Sequence, residues 1–239
     1  MKLLTTNAKL SKAPNGTLFL VSGLAIAPHG IGGKNVCSGS TAGCRKSCNL
    51  WFAGRTVMEG IRSAMIARKE FLLSDPIGFR FQLRKEIRSH AKRAAKLGLK
   101  PLVRLNVASD LDWTDIIAEF PEVRFYDYSK VRARARQNKL PNYSITLSRS
   151  ERRKDSELVE MLANGVNVAV VFNVEYVPSL HRFGKLPETY LGFPVIDGDL
   201  HDFRLPEIDG RGVVVGLRLK GMTATRQEAV NSGFAVTPA

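Results

Sequence analysis

The chain has 239 residues, of which 44% are hydrophobic and 24% are charged, a composition typical of a globular protein with one sizeable core. No apolar run approaches the length of a membrane span, and the opening MKLLTTNAKL has too short an apolar part for a secretory signal, so we expect a cytoplasmic protein. For the same reason we expect no membrane partner, whereas the formal net charge of +14 favours an anionic surface such as that of RNA or DNA.

The N-terminal part predicts a strand, a loop and two helices. Residues 17–27 (TLFLVSGLAIA) form a β-rich apolar run, which a glycine-rich loop joins to the cysteine segment, residues 35–55. Apolar residues recur at helical spacing over 56–73. Asp75 and Pro76 have the residue types of an N-cap and a first helical position, and we expect this second helix to run to about Leu97 and end at Gly98.

Short apolar runs then alternate with helical patterns to the end of the chain. We predict strands at 101–107, 123–128, 142–147, 166–174, 193–197 and 212–219, and helices at 113–120, 129–137 and 151–165. With the first run this makes seven strands joined by crossovers, which indicates an α/β fold with a parallel sheet. We expect a single domain over 1–239, built as a complete or partial (β/α) TIM-type barrel, with a doubly wound open sheet as the alternative.

Polar residues follow several of these strands, at the edge where parallel α/β folds place their chemistry. The cysteine segment follows the first strand, so we expect it to face the same rim. The rim residues are Asn106, Asp110, Asp127, Lys130 and Asp197, and the catalytic candidates among them are Asp110, Asp127, Lys130 and Asp197. Taken singly, such residues are more often helix caps and turn formers.

All three cysteines of the chain, Cys37, Cys44 and Cys48, lie in the cysteine segment with the spacing C-x6-C-x3-C. Clustered cysteines in a reducing compartment indicate metal or redox chemistry, and an odd number cannot pair off completely. A zinc site usually has four protein ligands, and the histidines that might complete one are not at zinc-finger spacing: His29, His181 and His201. Three thiolates suit a cubane iron–sulfur cluster, with one iron left for another ligand, although thiolates also bind zinc and copper(I).

The C-x6-C-x3-C loop after a first strand resembles a variant of the cysteine loop in a group of phage proteins related to radical S-adenosylmethionine enzymes. From about residue 17 onward, further stretches resemble the phage family called gene product 88-like: RLNVASDLDW (104–113), FYDYSK (125–130), VIDGDLHDFRLPE (195–207) and GLRLKG (216–221). The resemblance implies a barrel-like α/β domain and a [4Fe–4S] cluster on Cys37, Cys44 and Cys48. The likeness to radical enzymes adds S-adenosylmethionine as a further cofactor.

Two basic regions predict contacts with nucleic-acid phosphates that are independent of base sequence. One is a helical stripe whose principal residues are Arg84, Arg88 and Lys92, and the other contains Arg132, Arg134 and Arg136. Solvated charged faces are the usual alternative. A separate acidic set is compatible with a divalent cation in a nuclease: Asp110, Asp112, Asp197, Asp199 and Asp202.

The sequence therefore favours an iron–sulfur protein with a radical-enzyme-like barrel. Its cluster would modify a nucleic acid or a small molecule, or would serve binding or electron transfer. The alternatives are a nucleic-acid-binding module with a structural zinc ion and a metal-dependent nuclease.

Overall fold

A computed structural model of the protein describes residues 1–6, 10, 18–52, 54–177 and 182–238. The strands are β1 (Leu4–Thr5), β2 (Phe19–Leu24), β3 (Lys100–Arg104), β4 (Arg124–Ser129), β5 (Tyr143–Ser148), β6 (Val168–Phe172), β7 (Tyr176–Val177), β8 (Arg182–Phe183), β9 (Thr189–Tyr190), β10 (Phe193–Asp197) and β11 (Val214–Arg218). The α-helices are α1 (Ala42–Lys46), α2 (Asn49–Phe52), α3 (Glu59–Ser74), α4 (Pro76–Lys96), α5 (Thr114–Ala118), α6 (Arg132–Gln137), α7 (Asp155–Ala163), α8 (Pro206–Asp209) and α9 (Thr223–Asn231).

Nine strands form one sheet in the order β1-β2-β3-β4-β5-β6-β11-β10-β9. The seven strands from β2 to β10 in this order are all parallel to one another. β1 and β9 pair antiparallel at the two edges. The predicted α/β class, with seven parallel strands, is therefore confirmed.

The predicted barrel does not form among the described residues, because their sheet is open. β1 and β9 each have a single neighbour, and no pairing joins one edge of the sheet to the other. The first five parallel strands follow one another in chain order, so the order does not reverse at the first strand as it does in a doubly wound sheet.

The helix boundaries in the N-terminal half follow from local chemistry. The Asp75 carboxylate accepts the Gly78 N–H at 2.8 Å, and Pro76 occupies the first helical position of α4, as predicted. Gly98, just past the end of α4, has φ +66°, a conformation that glycine adopts without strain. α3 begins at Glu59, after a 3-10 turn at Gly54–Val57 that sequence periodicity did not reveal.

Apolar residues cover both faces of the sheet. On one face, α4, α5 and α7 pack on the strands around Phe79, Ile116 and Leu158. On the other, Phe203 and Leu205 pack on Val21 and Tyr126 without a helix between them and the strands. Among the described helices, none has both the length and the apolar character needed to cross a bilayer.

Candidate metal centre

The cysteine segment lies against the carboxyl edge of the sheet. Cys37 forms an isolated parallel bridge with Asp110, a residue that follows β3. The Asp110 N–H donates to the Val36 carbonyl at 2.9 Å, and Ser38 Oγ donates to the Asp110 carbonyl at 2.8 Å. These bonds hold the first cysteine beside the loop after β3.

The Asp110 carboxylate joins this loop to the end of β4. It accepts hydrogen bonds from Ser129 Oγ at 2.8 Å and from the Lys130 N–H at 2.9 Å, and it forms an ion pair with Arg134. Lys130 Nζ donates to the Arg149 carbonyl at 3.0 Å. Asp110 and Lys130 thus lie together beside the cysteine segment, and their polar groups hold the edge in place.

A second anchor positions Cys44. Thr41 Oγ1 caps α1 by accepting the Cys44 N–H at 3.3 Å. The Glu151 carboxylate, which follows β5, accepts from Thr41 Oγ1 at 2.7 Å and from the Gly43 N–H at 3.0 Å. α1 also packs against α9, a helix that we did not predict. Chain segments more than 100 residues apart therefore fix the second cysteine.

All three thiols are half-buried and free of disulfides. Burial raises the pKa of Cys37 to about 11 and that of Cys48 to about 12, and the Cys44 thiol contributes to both in the same direction. This mutual effect requires the three sulfur atoms to share one region. Without a metal the thiols of Cys37 and Cys48 are protonated at neutral pH, so binding a metal ion would release protons.

A backbone N–H group donates to one of the sulfur atoms, since the His29 N–H binds Cys37 Sγ at 3.1 Å. The N–H groups of Leu50 and Trp51 lie near the Cys48 thiol and lower its pKa against the larger effect of burial, while the Trp51 N–H donates to the Cys48 carbonyl at 2.9 Å. Hydrogen bonds of this kind favour the thiolate, the form that binds metal.

A buried cation lies near the same site. Lys69 in α3 has none of its surface exposed (0%), and its ammonium group donates to the carbonyls of His29 and Ile31 at 2.5 and 2.6 Å. Burial lowers its pKa, and Cys37 is the one group that opposes this effect. Lys69 forms no ion pair with a carboxylate in the described part of the chain. Among the described residues, Cys37 is the group whose thiolate form would offset this positive charge.

No three His, Cys, Asp or Glu side chains among the described residues are grouped so that they could hold a metal ion. Of the histidines proposed above as a fourth ligand, His29 contacts Cys37 through its backbone, and His201 lies 3.9 Å from Asp209 instead. His181 lies outside the described residues.

Two of the predicted rim residues form a buried pair beneath the edge. The Asp127 carboxylate accepts from the Asn106 backbone N–H at 2.6 Å, from its side-chain amide at 3.3 Å and from Tyr143 Oη at 3.1 Å. Asn106 in turn bonds Ser109 and Leu111, which shapes the turn after β3. Burial raises the pKa of Asp127 to about 7.

The remaining carboxylates do not gather at one point. Asp197 binds Arg218 through both oxygens, each at 2.8 Å, on a strand at the far side of the sheet from β3. The other acidic residues also have partners of their own, which are Arg218 and Lys220 for Asp199, Arg104 for Asp202 and Thr114 for Asp112. The structure does not bring Asp197 to the cysteine segment or the acidic set to a common cation site.

The basic stripe of α4 is partly neutralised. Arg84 donates to both carboxylate oxygens of Glu119, at 2.6 to 2.9 Å. Arg88 stacks over the ring of Phe120 at 5.4 Å, while Lys92 is exposed. The stripe therefore offers phosphate fewer free charges than its sequence indicates.

The second basic region is also tied to acids. Arg132 forms ion pairs with Glu157 and Glu160, and Arg136 lies 3.6 Å from Glu160. Arg134 is the cation beside the cysteine segment. Of these three, Arg136 is the most exposed, with 63% of its side chain accessible.

Lys69 is a site residue that we did not predict. The sequence does indicate it, because it continues the i, i+4 series of Ile61 and Met65 on the buried face of α3, where a lysine is unexpected. Glu151 follows a predicted strand and so belongs to the carboxyl edge of the sheet, but nothing local predicts its contact with Thr41.

Comparison with known proteins gives a match at the level of the family. The family model described as gene product 88 matches residues 1–237. No curated protein and no solved structure matches the chain.

Proposed function

We propose that this chain, which belongs to the gene product 88 family, the phage family that its sequence resembles, is an iron–sulfur protein whose Cys37, Cys44 and Cys48 hold a [4Fe–4S] cluster. One observation carries the proposal: the fully buried ammonium group of Lys69 lies near Cys37 and has no carboxylate partner among the described residues.

The argument from Lys69 concerns charge. A buried ammonium group without a counter-ion costs several kcal/mol, because the hydrogen bonds of two carbonyls do not replace its hydration. Protonated thiols cannot compensate it. Three thiolates and the sulfides of a cluster bring negative charge to this region, and Lys69 then becomes a favourable neighbour.

The His29 N–H that donates to Cys37 Sγ supports the same assignment. Hydrogen bonds to sulfur stabilise cluster ligands and tune the reduction potential of the cluster. At Cys48 the nearby N–H groups of Leu50 and Trp51 favour the thiolate, which is the form that a cluster binds.

The number of thiols favours a cluster over a single zinc ion. A structural zinc ion usually takes four protein ligands around one centre. A cubane cluster takes one cysteine on each of three irons and leaves the fourth iron for another ligand. Three thiols that influence one another electrostatically fit the second case better.

Three cysteines leave one iron without a thiolate. His29 is the imidazole nearest in the chain to this site, and its Nε2 has no hydrogen-bond partner among the described residues. Burial, with Lys69 and Arg45, lowers its pKa, which keeps the ring neutral and able to ligate. The alternative is an open iron that accepts an external ligand such as S-adenosylmethionine, as in the radical enzymes that the cysteine loop resembles.

The experiment is anaerobic purification with iron and sulfide analysis. We expect a brown protein with about four irons and four sulfides per chain. Each single Cys→Ser variant should lose most of the iron, whereas Ser40→Ala, in the same loop, should keep it. Stoichiometric zinc with no sulfide would refute the proposal and leave the zinc module as the better description.

Electron paramagnetic resonance of the reduced protein then addresses the fourth iron. If the iron is open, adding S-adenosylmethionine changes the spectrum of the wild-type protein. If His29 ligates it, the spectrum changes in His29→Ala and does not respond to S-adenosylmethionine in the wild type. A spectrum that is insensitive to both treatments would mean that another group of the chain completes the site.

A further inference from the structure

A cavity of about 690 Å³ lies at the edge of the sheet opposite the cysteine segment. The segments that line it, 138–141, 164–167 and 206–211, precede β5, β6 and β11, so they lie at the amino ends of these parallel strands. The cysteine segment contacts the carboxyl ends. The cavity is therefore separate from the candidate metal centre, and its volume is that of a small-molecule site.

The lining of this amino-edge cavity is strongly cationic. Five basic side chains contribute to it: Arg124, Arg136, Lys139, Arg204 and Arg211. Glu207 is the one acidic residue of the lining, and its carboxylate is bound by Arg124 at 2.9 and 3.1 Å. The lining thus carries an excess of four positive charges, although Glu160 lies 3.6 Å from Arg136 and Asp209 lies 3.3 Å from Arg204. This excess in a half-open cavity attracts a multiply charged anion.

Arg204 supplies the second observation. Its side chain is fully buried (0% exposed). Nη2 donates to the His201 carbonyl and contacts His201 Nδ1 at 3.0 Å, and Nη1 lies 3.3 Å from Asp209 Oδ2. Its Nε has no hydrogen-bond partner among the described residues. Leaving a buried guanidinium donor unpaired is costly, and its positive charge close behind the cavity wall is stabilised when an anion occupies the cavity.

The rim of the cavity is held by side chains that bond to backbone. Asn167 donates to the Gly210 carbonyl at 2.9 Å and accepts the Val213 N–H at 3.1 Å. Asn138 donates to the Tyr143 carbonyl at 2.7 Å. These bonds tie the three lining segments to the strands, so the cavity is preformed, and a ligand need not order it.

We propose that the amino-edge cavity binds a phosphate-bearing small molecule. Phosphate fits the lining better than a carboxylate does, because it carries more charge and presents several oxygens to converging guanidinium groups. The assignment also accounts for the second basic region. Arg132 and Arg134 are paired with acids away from the cavity, while Arg136, which lies 3.6 Å from Glu160, lines the cavity together with Lys139.

The test is isothermal titration of the full-length protein with inorganic pyrophosphate at about physiological salt. The variant Lys139→Gln/Arg211→Gln removes two exposed cations of the lining. The matched control, Lys92→Gln/Lys96→Gln, removes two exposed cations from α4, outside the cavity. Because each charge-assisted contact contributes about a factor of ten or more, we expect the first variant to bind about 100-fold more weakly and the control to bind within about twofold of wild type.

Three results would overturn the inference. The first is no saturable pyrophosphate binding by the folded wild-type protein. The second is equal weakening in both double variants, which would mean that net charge alone attracts the anion. The third is a nucleoside that binds as tightly as its 5′-phosphate, since phosphate would then not be what is recognised. Iron content should be unchanged in the cavity variant, so this test is independent of the cluster proposal.

Discussion

Gly39→Ala tests whether close packing of the cysteine segment on β4 is needed for metal binding. A Cβ at position 39 would lie 2.6 Å from Lys130 Cβ and 3.0 Å from the Lys130 carbonyl carbon. Carbon atoms normally approach to about 3.5–4.0 Å, so the loop has to move by about 1 Å. Lys130 cannot give way easily, because its N–H binds Asp110 and its Nζ binds the Arg149 carbonyl.

The expected cost is that of overpacking, about 1–3 kcal/mol in the free energy of unfolding. A domain of this size usually has about 5–15 kcal/mol to lose, so the variant should remain folded. Cys37 is two residues away and would shift with the loop. We therefore expect Gly39→Ala to bind substantially less iron than the wild type, at a stability loss that urea unfolding can measure.

The control is Gly60→Ala in α3, where a Cβ would meet nothing within 4 Å. That substitution should stabilise the helix by up to about 1 kcal/mol and leave the iron content unchanged. If Gly39→Ala unfolded at the wild-type urea concentration and retained full iron, the inferred contact between the cysteine segment and Lys130 would be wrong.

Three further predictions concern stability. Burial raises the pKa of Asp127 in the folded protein from 3.8 to about 7, so the free energy of unfolding should fall by something on the order of 4 kcal/mol as the pH rises from about 4 to 7. Urea titrations of Asp127→Asn should show a flatter dependence of stability on pH than the wild type, and identical profiles would contradict this. Asp75→Ala removes the cap that accepts the Gly78 N–H and should cost about 1 kcal/mol in thermal unfolding, whereas Asp75→Ser should restore most of it. Arg104→Met removes the 2.8 Å ion pair of the buried Asp202 carboxylate and should lower the free energy of unfolding by about 3–5 kcal/mol. The double variant with Asp202→Asn should lose less than the sum of the two single variants, and strict additivity would show that the two residues do not act as a pair.

Much of the fold could be predicted from sequence, because strand and helix periods are local properties. The run at 193–197 matches β10 residue for residue, and the Asp75–Pro76 signal places the start of α4. The short strands β1 and β9 were missed, since two residues carry no periodic pattern. Sheet closure was also beyond sequence reasoning. Closure depends on whether the two edge strands pair with each other, and β1 and β9 of the described residues do not.

The candidate metal centre could likewise be predicted from the sequence only in part. The sequence by itself determined that all three thiols lie in one glycine-rich loop after a strand, because their spacing along the chain fixes their proximity. It did not determine their surroundings. The Lys69 ammonium group and the Glu151 anchor come from α3 and from the end of β5, and the cationic cavity gathers residues from 124 to 211. Such neighbours are decided only by tertiary structure, because burial and pairing of charges depend on packing between segments that are distant in the chain.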